Sequence, residues 1–160
     1  MITFHDLYQK YAKDVYRFAY WLCGSAMEAE DLTAETFTRA WTSRKEIRTA
    51  TVKAYLFAIA RNLYLEQLRK DKRLVQLEPD ITDPLPQPEK SVEHRLDLQM
   101  AQELIQSLPE VDRTVFLLRV QHDLPYAEIA RVTDLSLSAV KVKVHRVRLQ
   151  LAEMELNKEK

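Results

Sequence analysis

Apolar residues recur every three or four positions through Phe4, Leu7, Tyr8, Tyr11, Val15, Phe18, Ala19 and Leu22, the period that returns side chains to one face of an α-helix. Gly24 ends the run. Ser25 and Glu28 then stand at capping-box spacing, so a second helix is expected to about Trp41. Thr42 to Thr51 is polar and basic and reads as a loop; a long helix is expected from about Val52 to Lys72. Further helices are expected over about 91–106, from Ser107-Leu108-Pro109-Glu110 (a second capping signature, with proline just inside the start) to about Gln121, and over Pro125–Val132. Thr133-Asp134-Leu135 reads as a turn, and Ser136 as the N-cap of a last helix to about Met154.

Four of the six prolines fall between Glu78 and Pro88, a spacing that forbids a continuous helix. The expectation is an all-α chain of two small helical domains, 1–74 and 91–157, joined by a Pro-rich acidic linker at 75–90. Gly24 is the only glycine, which disfavours hairpin turns and phosphate-cradling loops.

The 46% hydrophobic and 30% charged content describes a chain able to bury a core. Net charge is zero, but it is unevenly spread. Arg39 to Arg73 carries ten bases against three acids, Gln76 to Glu103 seven acids against two bases, and Ser136 to Gln150 four bases and no acid. Such asymmetry says more than the total: two basic regions flank an acidic one. Met1-Ile2-Thr3-Phe4-His5-Asp6 lacks a signal-peptide layout, and no run approaches the roughly 20 apolar residues that span a bilayer, so a cytoplasmic protein without membrane insertion is expected. Cys23, alone in an apolar stretch, reads as a small buried hydrophobe.

The last two helices have the small and apolar positions of a helix-turn-helix: Ala127, Ile129, Ala130, Leu135 and Val140. On the final helix Val140, Val144, Val147 and Leu151 form one stripe, which turns Ser138, Val142, His145, Arg146 and Leu149 outward with Lys141, Lys143 and Arg148 on the flanks. Ser136, Ser138, Lys141, Val142, Lys143, His145, Arg146 and Arg148 are therefore candidates for a major-groove interface, Val142 through thymine methyls and the cations through guanine or phosphate. The plainer alternative is a solvated outer face on a terminal helix. The 52–72 helix mixes Lys53, Arg61, Asn62, Arg69 and Lys70 with Tyr55, Phe57 and Tyr64, a combination that suits single-stranded DNA, although the rings also suit a core. No nucleophile elbow, phosphate loop or metal-ligand spacing is present, so neither an enzyme nor a cofactor is expected.

Ala29-Glu30-Asp31-Leu32-Thr33-Ala34-Glu35-Thr36-Phe37-Thr38-Arg39-Ala40-Trp41 resembles region 2.2 of sigma-70 family sigma factors, and Ala54–Leu63 resembles regions 2.3 and 2.4. Leu108-Pro109, Phe116–Arg119, Tyr126–Ala130 and Val140–Arg146 are similar to region 4. Two such blocks without a middle domain resemble the extracytoplasmic-function (ECF) group. The resemblance implies an alternative sigma factor that brings core RNA polymerase to promoter DNA. Its first domain would dock on the β′ clamp helices through Asp31, Leu32 and Glu35, and would read and melt the −10 element with Arg44, Lys45, Arg48, Lys53, Arg61, Asn62, Arg69 and Lys70. Its second would contact the β flap and lay the Ser136–Arg148 helix in the −35 major groove. The acidic linker would run near the RNA exit path, and an anti-sigma factor would mask the working surfaces.

The chain departs from the family's pattern at Ala34, where glutamine is common, at Glu66 for aspartate, at Asp134 in a turn that often holds glycine, and at Val142-Lys143 for a frequent Ser-Arg pair. A competing reading is a stand-alone helix-turn-helix repressor or activator, which would need a two-fold site and a dimer seam; no coiled-coil heptad supplies one. Asp31 and Glu35, followed one turn later by Arg39, also fit ordinary surface ion pairing.

Overall fold

The Thr3 hydroxyl accepts from the Asp6 amide at 3.1 Å and the Asp6 carboxylate accepts from the Thr3 amide at 3.3 Å, a capping box that starts α1 (Phe4–Cys23). Hydrogen bonding to the carboxylate from Thr3, by its side chain first and its amide second, holds the Asp6 carboxyl below its usual range. That support for the helix start is present at neutral pH and fades as acid protonates the carboxylate. In this computed structural model, which describes residues 3–42, 51–74 and 92–158, α2 spans Ala26–Thr42, α3 Val52–Leu74, α4 Val92–Ser107, α5 Glu110–Phe116, α6 Tyr126–Thr133 and α7 Leu137–Lys158. A π-helical turn, Leu117–Gln121, continues α5. All described secondary structure is helical. The expected basic loop, apart from Thr42 and Thr51, and the whole of the expected linker (75–90) lie outside the described residues.

The chain divides between Pro86 and Gln87 into two compact units, one holding α1–α3 and the other α4–α7. In the first, Phe18 and Phe57 are fully buried with ring centroids 5.0 Å apart, joining α1 to α3. Tyr8 packs on Phe37 at 5.0 Å and Phe4 edge-on to Trp41 at 5.7 Å, joining α1 to α2. Phe4 and Tyr8 keep much of their surface in water, so the apolar period of α1 is fully buried only from Val15 onward. Thr33 and Thr36 are buried too, their hydroxyls donating to the carbonyls of Ala29 and Leu32 at 2.6 Å each, so neither leaves an unpaired group in the core.

Among the described residues three left-handed ones turn the chain. Gly24 (φ 76°) closes α1, its amide donating to the Tyr20 carbonyl at 2.8 Å. Asp123 (φ 53°) follows the π-helical turn, where the His122 amide reaches back five residues to the Leu117 carbonyl at 3.3 Å. Asp134 (φ 56°, ψ 40°) closes α6, and the Leu135 amide donates to the Ala130 carbonyl at 3.0 Å. Two residues later Ser136 caps α7, its hydroxyl accepting from the Ala139 amide at 3.1 Å.

Three local expectations are corrected. Ser107 does not cap α5: its hydroxyl donates to the Leu104 carbonyl at 2.6 Å as the end of α4, and Pro109 precedes the first α5 residue without a side-chain cap. Cys23 is half-buried, its thiol donating to the Ser25 carbonyl at 3.3 Å. Ala127 is exposed, because Ile129 and Val132 form the inner face of α6 and a residue two before Ile129 points away from it.

Phe57→Ala is expected to destabilise the first unit by about 3–5 kcal/mol, since it removes a fully buried ring from the junction of two helices. In the second unit, Asp134→Gly should be close to neutral while Asp134→Val costs about 1–3 kcal/mol, because a β-branched residue resists the left-handed region. Urea unfolding followed by circular dichroism measures both; equal effects of the two Asp134 variants would remove the conformational argument.

Candidate nucleic-acid interface

Val140, Val144 and Val147 are buried against α5 and α6, which fixes the rotation of α7. With that seam inside, Ser138, Val142, His145, Arg146 and Leu149 all emerge on the exposed side as expected. Val142 is 49% exposed, a large apolar side chain left in water between cations. Ser136, Lys141 and Arg148 are exposed as well.

The two flanking lysines differ. The Lys141 ammonium lies 5.8 Å from the centroid of the Tyr126 ring, which also holds the Arg119 guanidinium at 4.4 Å. Arg119 in turn donates to the Leu124 carbonyl at 3.1 Å and thus ties down the turn before α6. Lys143 is instead bonded to Asp112 on α5 at 2.8 Å. Neither Tyr126 nor Asp112 is marked by sequence spacing, because each acts across a packed helix pair.

Among the described residues, the α3 cations do not converge on one spot. Arg44, Lys45 and Arg48 lie outside the described residues. Along α3, Lys53 and Arg69 are separated by about 24 Å at 1.5 Å per residue. Lys53 is half-buried near the Phe57 ring, its ammonium 5.9 Å from the centroid. Asn62 and Arg69, seven residues apart, share one exposed face, and the Arg69 Nε donates to the Leu65 carbonyl at 3.5 Å. Arg61 is half-buried, and of the three α3 rings Phe57 and Tyr64 belong to the core while Tyr55 is half-buried.

Lys70 turns toward α2. There α2 and α3 leave a groove of about 340 Å³, rimmed by Asp31, Glu35, Arg39, Glu66, Gln67 and Lys70 over a base of Leu32 and Leu63. Arg39 crosses it, 3.4 Å from Glu66 on α3 and 4.0 Å from Glu35 on its own helix. Leu32, expected at a docking surface, is only 5% exposed: it is a core residue that offers the groove a floor. The ion pairing foreseen for Glu35 and Arg39 is present, but its extension to Glu66, 27 positions away, has no local signal. Among the described residues no group of three or more metal-ligating side chains occurs, and no helix is long and apolar enough to cross a membrane.

An exposed, cation-lined helix face behind a three-residue turn marks a helix-turn-helix module, here accompanied by a three-helix unit with a charged groove. Residues 7–74 match the family model for sigma-70 region 2 and residues 98–151 that for sigma-70 region 4. The chain is 34% identical to the ECF RNA polymerase sigma factor SigE of Mycolicibacterium smegmatis, over 96% of this chain and 62% of that one. It is 30% identical to the ECF RNA polymerase sigma factor SigM of Bacillus subtilis, over 94% of this chain and 93% of that one. Among solved structures it resembles the sigma factor RpoE of Bartonella quintana, co-crystallised with the anti-sigma factor NepR, with a TM-score of 0.78, 26% identity and coverage of 91% and 92%. The chain belongs to the ECF group of the sigma-70 family: it is an alternative sigma factor, serving RNA polymerase in transcription initiation.

Arg39 and Glu66 are about two-fifths exposed, so water screens their attraction. Arg39→Met and Glu66→Gln are each expected to change stability by no more than about 1 kcal/mol. A larger loss on urea unfolding would mean that the bridge, and not the apolar base of the groove, holds α2 to α3.

Proposed function

We propose that α7 enters the −35 major groove, with Ser138, Val142, His145 and Arg146 toward base edges and Ser136, Lys141 and Arg148 toward phosphates. The observation that carries this reading is the outward face of α7, where a half-exposed valine sits among cations behind a capped turn. Methyl contact and charge together read sequence and hold the backbone, which charge alone does not.

The first unit docks core RNA polymerase through the α2 rim of its groove, with Asp31 and Glu35 as the charged contacts. The basic segment with Arg44, Lys45 and Arg48, continued by Arg61, Asn62, Arg69 and Lys70 on α3, handles the −10 element. Unstacking a base costs a few kcal/mol, and capture of the displaced base by protein offsets that cost. Lys53, half-buried near a core ring, has the weakest support in this set. The protein works in the cytoplasm and performs no chemistry of its own. Because the Bartonella quintana neighbour was solved with an anti-sigma factor, a protein inhibitor that covers these surfaces is the expected regulator.

The test is transcription by purified core RNA polymerase, with and without this protein, on a library of its genomic upstream regions. Initiation should depend on the protein and fail with the double variant Asp31→Arg/Glu35→Arg. Arg146→Ala should weaken use of the selected promoters about 5- to 100-fold and relax preference at one −35 position. Duplex binding without polymerase recruitment would instead make the chain a stand-alone repressor.

A further inference from the structure

Asp112 and Lys143 are 31 positions apart, yet their side chains meet at 2.8 Å. The two are 25% and 18% exposed for lysine and aspartate, better shielded than the Arg39 pairs of the first unit. Asp112 lies in the first turn of α5, where the helix dipole favours an anion. At about 100° per residue, Lys143 falls on one flank of the valine seam of α7, whereas Lys141 and Arg148 fall on the other. To reach a phosphate, Lys143 would have to break a charge-assisted bond and leave a shielded carboxylate unpaired. Lys141 pays no such penalty, since its contact with Tyr126 is long and weak.

We infer that Lys143 is a positioning residue: with Asp112 it fixes the roll of α7 on α5, and it makes no phosphate contact. The inference rests on the −35 reading given above. Side-chain tips lie roughly 5–6 Å from a helix axis, so a roll of about 20° moves them by about 2 Å, enough to break a hydrogen bond to a base edge. The Asp112–Lys143 bond resists that roll on one side of the seam. It therefore bears on which −35 sequence is preferred more than on how strongly DNA is held.

The experiment uses holoenzyme assembled from the full chain and core RNA polymerase, bound to a promoter duplex selected by transcription. Affinity is measured across a salt series and against single-base −35 variants. Arg148→Met and Lys141→Met should each lower the slope of log K against log salt by about 0.9, as loss of one phosphate contact does. Lys143→Met should leave the slope unchanged while discrimination among −35 variants falls about 3- to 10-fold, and Asp112→Asn should do the same. Lys143→Gln with Asp112→Asn, which keeps a hydrogen bond between the positions, should recover discrimination and covers the case of a misfolded single variant. A lower slope in Lys143→Met or in the double variant, or tighter binding in Asp112→Asn because a freed lysine reaches the backbone, would overturn the inference. Unchanged slopes for Arg148→Met and Lys141→Met as well would overturn the −35 reading itself, and the role of Lys143 with it.

Discussion

The seam of Val140, Val144 and Val147 is the constraint on which the rest of the second unit depends. Three β-branched side chains at helical spacing admit one rotation of α7 against α5 and α6, since any other would expose them and bury cations. Turning the helix by a single residue, about 100°, would carry Arg146 toward the core and Val144 into water. Charge burial forbids the first and apolar exposure the second. The outward face is therefore a by-product of what must be inside, and an exposed polar surface inherits the precision of a packed core.

Packing α6 against α7 requires a sharp reversal, and this chain achieves it without glycine. Asp123 and Asp134 take the left-handed conformations, and the backbone amides that follow them find carbonyl partners. Aspartate tolerates this region better than most residues, which is why a sequence with a single glycine still builds a three-residue turn between α6 and α7. In the first unit the chain has fewer options: Gly24 closes α1 where the next helix starts two residues later.

Helix positions were legible in the sequence because hydrophobic period and caps are local signals. The seven helices of the described residues fall within a few residues of the expected bounds, and Ser136 caps α7 as its position suggests. Contacts between helices were not legible. Asp112–Lys143 and Arg39–Glu66 join residues 31 and 27 positions apart, and no spacing rule connects them. Leu32 illustrates a further limit: on a helix with one buried face, the neighbour of an exposed aspartate points inward, so a motif of adjacent residues does not make a contiguous surface. Ser107 resembled a cap by its spacing to Glu110, but the helix begins two residues later than that pattern requires. The outer face of α7 was recovered because it needs only the rotation of one helix, whereas the groove of the first unit needs two helices in register.

With α7 in the −35 groove as proposed, the exposed methyls of Val142 have a consequence for a cell under osmotic load. Ionic contacts with DNA weaken steeply as cytosolic salt rises, because they depend on the release of condensed counterions. Contact between valine and thymine methyls releases no ions and, if anything, is favoured when solutes are excluded from apolar surface. On that reading a rise in salt would reduce promoter occupancy overall while sharpening the ranking of promoters by that base, so that the few best sites are the last to fall silent.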